Sequence, residues 1–171
     1  YINAFQTQPG ERDLWADDLL LHDDAGDVMI DPDWPDEALI DTRQIKRARA
    51  MVEPWIRGCD EAGFDAVEFD NLDTYTRSDG ALTRADNLAL AHALVEIAHS
   101  EGLAAAQKNA AEDAALLRSE AGFDFAITEE CAAFSECAAY TEVYGEGVLA
   151  IEYTDSLPRP FEEVCTDADR P

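Results

Sequence analysis

The sequence predicts an α/β fold in which helices cover a parallel β-sheet. Apolar runs of about four to eight residues, bounded by charged or turn residues, alternate with longer segments of helical periodicity. This alternation is typical of repeated strand and helix units. Six runs are predicted as strands: 1–5, 38–42, 65–70, 103–108, 123–128 and 147–153. Four segments between them are predicted as helices: 44–62, 83–101, 110–121 and 133–144.

The first predicted strand, YINAF, is followed by a long irregular connection over residues 6–37. This connection shows no sustained hydrophobic period. Connections of this length are usually functional or partly disordered. Its Trp15 and Trp34 are open to two interpretations, because they could offer aromatic faces to a sugar ring or could anchor the connection to the rest of the protein.

The segment 83–101 carries the clearest helix signals. Thr83 is followed three residues later by Asp86, an N-capping arrangement in which side chains satisfy backbone donors of the first turn. Apolar residues then recur at helical spacing and are expected to face the sheet: Leu88, Ala91, Val95 and Ala98. Gly102 ends the predicted helix.

Length and charge limit the classes of function. At 171 residues the chain can bury one sizeable core, so we expect a single domain over residues 1–171. Its 38 acidic and 12 basic residues give a net charge of −26, which repels nucleic acid and anionic membrane surfaces. The sequence also has no window apolar enough to span a membrane. The acidity indicates either a solvated surface or a site for a cationic substrate.

Four cysteines are present, and their spacing does not predict a zinc site, because no CxxC pair occurs. Cys131 and Cys137 are close enough in sequence to close a local loop, which would leave Cys59 and Cys165 to join distant segments. Two such disulfides would indicate an oxidising compartment. The alternative is that all four are buried free thiols.

Acidic and amide side chains follow several predicted strands at their carboxyl ends. In parallel α/β folds this edge of the sheet carries the chemistry. The main residues concerned are Glu68, Asp70, Asn71, Lys108, Asn109, Glu129, Glu130, Glu152 and Tyr153. Because Glu68 and Asp70 are two positions apart on one strand, they point to the same side, opposite Val67 and Phe69.

Neighbouring carboxylates raise the pKa of one member, and a lysine such as Lys108 lowers it again. One carboxyl group can then remain protonated as an acid while another remains ionised. Two carboxyl groups with divided roles suit glycoside hydrolysis. The residues alone therefore indicate an α/β hydrolase-like enzyme with an acidic site.

Four motifs in order resemble glycoside hydrolase family 114, the endo-alpha-1,4-polygalactosaminidases and their relatives. These are VEFDNLDTYT, GLAAAQKN, DFAITEEC with a second cysteine in SEC, and VLAIEYTD. The resemblance runs from about residue 1 to 165. It implies a (β/α)8 TIM-type barrel that cleaves α-1,4-linked galactosamine polymers, with no cofactor and no metal. With six predicted strands, the first strand of such a barrel is expected before Tyr1 and the last after Cys165.

Carried over to this sequence, the resemblance implies a catalytic pair of Asp70 as nucleophile and Glu129 as general acid/base, with the roles reversible. Other motif residues would line a cleft for a cationic amino sugar: Glu68, Asn71, Asp73, Tyr75, Lys108, Asn109, Glu130, Glu152 and Tyr153. TEEC replaces the family's NEQC-like motif, so Glu130 indicates a subsite with altered preference. The implied location is extracellular or in the cell envelope.

Two other functions fit the same residues. One is a non-catalytic carbohydrate-binding protein that has kept the cleft. The other is a metal-dependent hydrolase in which Glu68, Asp70, Asp73 and Glu129 hold a magnesium or calcium ion through oxygen ligands.

Overall fold

The computed structural model describes residues 1–168 and 170–171 of the chain. Its centre is a five-stranded parallel sheet of β1 (Ile2–Asn3), β2 (Ala66–Asp70), β3 (Ala104–Lys108), β4 (Phe125–Glu129) and β5 (Val148–Ile151). Each strand pairs in parallel with the next along the chain. This is the strand order of a β/α barrel, and the described sheet supplies five of the eight strands of such a barrel. The α/β prediction is therefore confirmed.

The prediction of a sheet strand over residues 38–42 is wrong. Ala38, Leu39 and Ile40 form isolated antiparallel bridges with the preceding connection and do not join the parallel sheet. All three residues are buried. Their apolar run therefore reflects burial under the irregular connection, and the sheet passes directly from β1 to β2.

Six helices are found among the described residues: α1 (Ile45–Glu61), α2 (Arg84–Ser100), α3 (Ala114–Leu116), α4 (Cys131–Phe134), α5 (Cys137–Tyr144) and α6 (Phe161–Val164). Helix α2 begins with the predicted capping box of Thr83 and Asp86. A π-helical turn, Leu117–Ala121, extends α3. The predicted helix 133–144 is broken at Ser135, whose φ of 61° is left-handed, so α4 and α5 are separate.

The main core lies between the sheet and helices α1 and α2. Val67 and Phe69 of β2 are buried on this side, and the Phe69 ring makes an edge contact with Phe123 at 6.2 Å between centroids. Trp15 is also buried, and it packs at 5.6 Å against Trp55 of α1. Of the two interpretations of Trp15, the structure therefore supports anchoring of the long connection.

One of the two predicted disulfides is formed. Cys131 and Cys137 are bonded and join the start of α4 to the start of α5. The prediction that Cys59 pairs with Cys165 is wrong, because both are free thiols. Cys59 packs on the main core from α1, whereas Cys165 follows α6 and lines a cavity beside β5.

In the part of the chain that the structure describes, none of the helices combines the length and apolar character needed to cross a membrane.

Candidate active site

One lysine side chain lies among three carboxylates at the carboxyl ends of β2, β3 and β4. Lys108 Nζ is 3.6 Å from Asp70 Oδ2 and 3.2 Å from Glu129 Oε2. The same nitrogen is 3.4 Å from Glu68 Oε1. We call these four residues the Lys108 cluster. The lysine side chain is only 7% exposed, whereas all three carboxylates are partly open to solvent.

Strand alternation and register explain how these residues meet. Glu68 and Asp70 occupy the half-exposed positions of β2, on the side opposite the buried Val67 and Phe69. Lys108 ends the adjacent strand β3 and pairs in register with Ile127 of β4. Glu129 lies two positions beyond Ile127, on the same side of β4. The predicted orientation of the acidic side chains is confirmed.

A residue in the left-handed conformation follows each of these three strands. Asn71 has φ 61°, Asn109 has φ 51° and Glu130 has φ 59°. Asparagine adopts this conformation more readily than other non-glycine residues, and a glutamate there is unusual. The left-handed residue marks the point at which the chain leaves each strand, directly after Asp70, Lys108 and Glu129.

Two donors hold the Asp70 carboxylate. The Tyr1 hydroxyl donates to Oδ2 at 2.9 Å, and the Asn71 backbone N–H donates to Oδ1 at 2.7 Å. Burial and the negative charge of Asp70 raise the pKa of the Tyr1 phenol, so that it remains a donor. Lys108 Nζ also lies 5.6 Å from the centre of the Tyr1 ring. Tyr1 is not among the site residues that the sequence predicts.

Glu129 is held by Tyr153, Asn109 and Lys108. The Tyr153 hydroxyl donates to Oε1 at 2.7 Å, and the Asn109 side-chain amide lies at 3.4 Å from Oε2. Burial raises the pKa of Glu129, but the hydrogen bond from Tyr153 and the contacts with Lys108 and Asn109 outweigh it and lower this pKa overall. Glu129 is therefore ionised at neutral pH when the site holds no substrate.

Lys108 keeps its positive charge despite its burial. Burial lowers the pKa of its ammonium, but Asp70, Glu129 and Glu68 together raise it above the ordinary value. The ammonium occupies the place among these carboxylates that a divalent cation would take. Asp73, the fourth residue of the predicted metal set, pairs instead with Arg77 at 3.0 Å. This arrangement does not fit the predicted four-carboxylate metal site.

Asp70 and Glu129 lie close enough to act on one bond. Asp70 Oδ2 and Glu129 Oε2 contact the same Lys108 nitrogen. The distance between these two oxygen atoms therefore cannot exceed the sum of their distances to that nitrogen. Retaining glycosidases hold their carboxyl groups about 5–5.5 Å apart and inverting ones about 6.5–9.5 Å apart. The structure is compatible with the first range and with the lower end of the second.

A second ion-pair group lies beside the first, and we call Arg77, Asp31 and Asp73 the Arg77 cluster. Arg77 Nε is 2.7 Å from Asp31 Oδ2, and its Nη1 is 3.0 Å from Asp73 Oδ1. Its Nη2 also donates to the side-chain oxygens of Gln6 and Asn71, at 3.1 and 3.2 Å. Asp73, predicted to line the cleft, thus takes part in fixing the loop after β2.

The structure places two more of the predicted cleft residues in contacts outside the Lys108 cluster. The Tyr75 hydroxyl donates to Asp113 at 2.9 Å and accepts from Arg84 at 3.1 Å. Glu152 accepts from the backbone N–H of Ala132 at 2.8 Å. Its carboxylate lies beside the Cys131–Cys137 disulfide, whose sulfur atoms are bonded to each other and are not metal ligands. Glu130 is half-buried, and its backbone N–H donates to Ile151.

Further polar residues reach the site from β1 and the long connection. Glu37 Oε2 accepts from Asn3 Nδ2 at 3.1 Å and from Gln6 Nε2 at 2.9 Å. Asn3 Oδ1 in turn accepts from Asn71 Nδ2 at 3.1 Å. Sequence reasoning missed these residues. Alternation along β1 could have placed Asn3 on the side that carries Asp70, its partner in the parallel register.

Trp34 lies on the turn that leads to Glu37, and its side chain is 63% exposed. Asp31 fixes this turn by accepting from the backbone N–H groups of Asp33 and Trp34. The backbone of this turn is therefore fixed and the Trp34 ring is open to solvent, which leaves the sugar-platform interpretation of Trp34 available.

The sequence matches one family of known proteins, and the fold is similar to that of a solved structure. The family model described as glycoside-hydrolase family GH114 matches residues 1–171. The crystal structure of Aspergillus fumigatus Ega3 in complex with galactosamine is similar, with a TM-score of 0.73 and 26% sequence identity over 90% of this chain. The chain spans 59% of the length of that protein.

The glycoside hydrolase domain of PelA from Pseudomonas aeruginosa is a more distant match, with a TM-score of 0.49 and 12% identity over 75% of this chain and 48% of that one. Among proteins with curated descriptions, none matches the sequence.

Proposed function

Because the chain belongs to glycoside-hydrolase family GH114, we propose that it hydrolyses α-1,4-linked galactosamine-containing polysaccharide. The observation that carries this proposal is the approach of Asp70 and Glu129, from two different strands, to a single lysine nitrogen. The similarity to Ega3, whose structure contains galactosamine, supports the class of sugar. A substrate of amino sugars is cationic, and the net charge of −26 favours its approach.

In this proposal Glu129 is the general acid/base and Asp70 is the nucleophile. Glu129 donates a proton to the leaving glycosidic oxygen while the Asp70 carboxylate attacks the anomeric carbon. Water then displaces the sugar from Asp70, and Glu129 accepts a proton from that water. If the separation is of the inverting kind, Asp70 instead takes the proton from a water molecule that attacks directly.

The first step requires a proton that Glu129 lacks in the empty site. A bound sugar excludes water and raises the pKa of a nearby carboxyl group. It would also compete with Glu129 for the hydrogen bond from Tyr153, which is 46% exposed and therefore accessible to a ligand. We therefore expect proton uptake by Glu129 to accompany substrate binding.

The other groups of the site orient the pair. Tyr1 and Asn71 fix Asp70, and Asn109 and Lys108 fix Glu129. Glu68 shares Lys108 with both and faces the same opening. Exposed Trp34 is proposed to stack against a sugar ring at the edge of the cleft.

We also propose that the protein works outside the cell or in the cell envelope. The Cys131–Cys137 disulfide supports this location, because disulfides persist mainly in oxidising compartments. Disulfide content of the protein purified from its native source, by mass spectrometry under thiol blocking, tests the location. A fully reduced pair would contradict it.

The test of function is release of reducing ends from deacetylated polygalactosamine. We expect the wild-type protein to release them and Glu129→Gln to lose about two to four orders of magnitude in rate, which is the usual contribution of a positioned acid–base group. The exposed Glu120→Gln, on the π-helical turn, is the matched control.

The outcome also separates the alternatives. Binding of the polymer without any release of reducing ends would favour the carbohydrate-binding protein. Activity that disappears in a chelator and returns with magnesium or calcium would favour the metal-dependent hydrolase. Activity that persists in the chelator, is lost in Glu129→Gln and is kept in Glu120→Gln supports the proposal.

A further inference from the structure

We propose that Glu37 determines the specificity of the site for amino sugars by binding the ammonium group of the substrate. This inference rests on the proposed function and names the residue that distinguishes a cationic sugar from a neutral one.

The orientation of Glu37 is fixed by neighbouring side chains. Its Oε2 accepts from two amide groups, Asn3 Nδ2 and Gln6 Nε2. Gln6 is itself held, because its Oε1 accepts from Arg77. A carboxylate with one oxygen fixed in this way presents the other in a constant direction. Since Glu37 is only half-buried, it remains accessible to a ligand.

Glu37 also lies on the Asp70 side of the site. The Tyr1 hydroxyl that donates to Asp70 is close enough to Glu37 for the negative charge of Glu37 to help raise the pKa of the Tyr1 phenol. Asn3 connects the two regions directly, since it donates to Glu37 and accepts from Asn71, the residue after Asp70. A sugar bound across Asp70 would therefore reach Glu37 with one of its substituents.

The charge balance distinguishes Glu37 from the other acidic groups around the site. Asp70, Glu129 and Glu68 share Lys108, and Asp31 and Asp73 share Arg77. Over residues 1–168 and 170–171, Glu37 has no ion pair with a lysine, arginine or histidine. Among the described residues, its carboxylate is held by the neutral amides of Asn3 and Gln6.

An ammonium group would supply the positive charge that is missing beside the Glu37 carboxylate. It carries one positive charge and three hydrogen-bond donors, and hydrogen bonds between charged partners are about twice as strong as neutral ones. A hydroxyl or an N-acetyl group at the same carbon of the sugar offers no charge. The preference for the ammonium should therefore be electrostatic and should weaken with added salt.

The test compares two monosaccharides that differ only in this group. We would measure the dissociation constants of galactosamine and galactose by titration calorimetry, at a pH where the amine is protonated, for the wild-type protein and for Glu37→Gln. Glutamine keeps an oxygen that accepts from Asn3 and Gln6. We expect the wild type to prefer galactosamine and Glu37→Gln to lose about tenfold or more of that preference.

Glu37→Asp, which keeps the charge, should retain part of the preference, and Glu120→Gln should retain all of it. Thermal unfolding of each variant tests whether the fold is preserved.

Wild-type protein with no preference for galactosamine would overturn the inference, and so would Glu37→Gln with the preference intact. Neither result bears on hydrolysis of the polymer, which the assay of reducing ends measures separately. If hydrolysis fails in the wild type while the Glu37-dependent preference is present, the proposed function fails and the amine-binding site remains.

Discussion

The Lys108 cluster and the Arg77 cluster both surround one cation with carboxylates near the ends of the strands, but they differ in burial and in charge balance. In the Arg77 cluster the Asp31 side chain is fully buried. Arg77 pairs with two carboxylates and also donates hydrogen bonds to the side-chain amides of Gln6 and Asn71. In the Lys108 cluster one lysine serves three acids, of which Glu129 is 31% exposed. We infer that the Arg77 cluster holds the loops in place and that the Lys108 cluster is accessible to substrate.

The largest expected difference between the clusters is in turnover. Asp70→Asn removes the charge of the proposed nucleophile and should lower turnover by about two to four orders of magnitude, as for other catalytic groups of this kind. Asp73→Asn makes the same chemical change in the Arg77 cluster and should keep most of the activity. Rates of reducing-end release from deacetylated polygalactosamine measure both. Equal losses in the two variants would contradict the division of roles.

The next largest effect is on stability. Arg77→Met leaves Asp31 buried without its cation, and breaking a buried pair in this way costs about 3–5 kcal/mol. Lys108→Met leaves carboxylates that water can reach, so its cost in unfolding free energy should be well below that of Arg77→Met, while its activity falls strongly. Urea unfolding followed by circular dichroism gives both values. If Lys108→Met lost more unfolding free energy than Arg77→Met, the structural role would belong to the Lys108 cluster and the assignment would be wrong.

A smaller effect concerns the two tyrosines bound to acids. Tyr153 lowers the pKa of Glu129 through its hydrogen bond, so Tyr153→Phe should raise that pKa. The limb of the pH–rate profile that reports Glu129 should then move to higher pH. Tyr75→Phe removes a hydroxyl bound to Asp113 and should leave this limb in place. If this limb does not move in Tyr153→Phe, the titration that controls the rate does not belong to Glu129.

The smallest effect is on the stability of the protein in acid. The pKa of Glu129 is lower in the folded protein than in the unfolded chain, so its contribution to stability is present above the unfolded pKa, about 4.3, and is lost as pH falls through the folded value. Glu129→Gln lacks this titration. Its unfolding free energy should therefore decline less steeply than that of the wild type between about pH 5 and pH 3. Parallel curves would contradict the lowered pKa.

The sequence predicted the elements whose signals are local. Alternation identified β2 and placed Glu68 and Asp70 on the side opposite Val67 and Phe69, and the capping residues located the start of α2 at Thr83. The strand predicted at 38–42 was wrong because an apolar run indicates burial but does not indicate its hydrogen-bonding partner. The Cys59–Cys165 pair was wrong for a related reason, since spacing along the chain does not give distance in space.

The site was predicted only in part. Asp70, Lys108 and Glu129 could be predicted from their positions at strand ends, because parallel strands bring their carboxyl ends together. Tyr1 and Glu37 were missed, since each reaches the site from another segment of the chain. Glu37 in particular lies in an irregular connection, where no hydrophobic period indicates which way a side chain points. Side chains of this kind become visible only once the loop has been placed on the sheet.

The central claim is that Asp70 and Glu129 meet across one glycosidic bond. A crystal structure of Glu129→Gln with a bound galactosamine oligosaccharide tests it most directly. We predict that the side chain at position 129 lies within hydrogen-bond distance of a glycosidic oxygen and that Asp70 faces the anomeric carbon of the same linkage. An oligosaccharide bound elsewhere on the protein, or one whose linkage Asp70 does not face, would contradict the account.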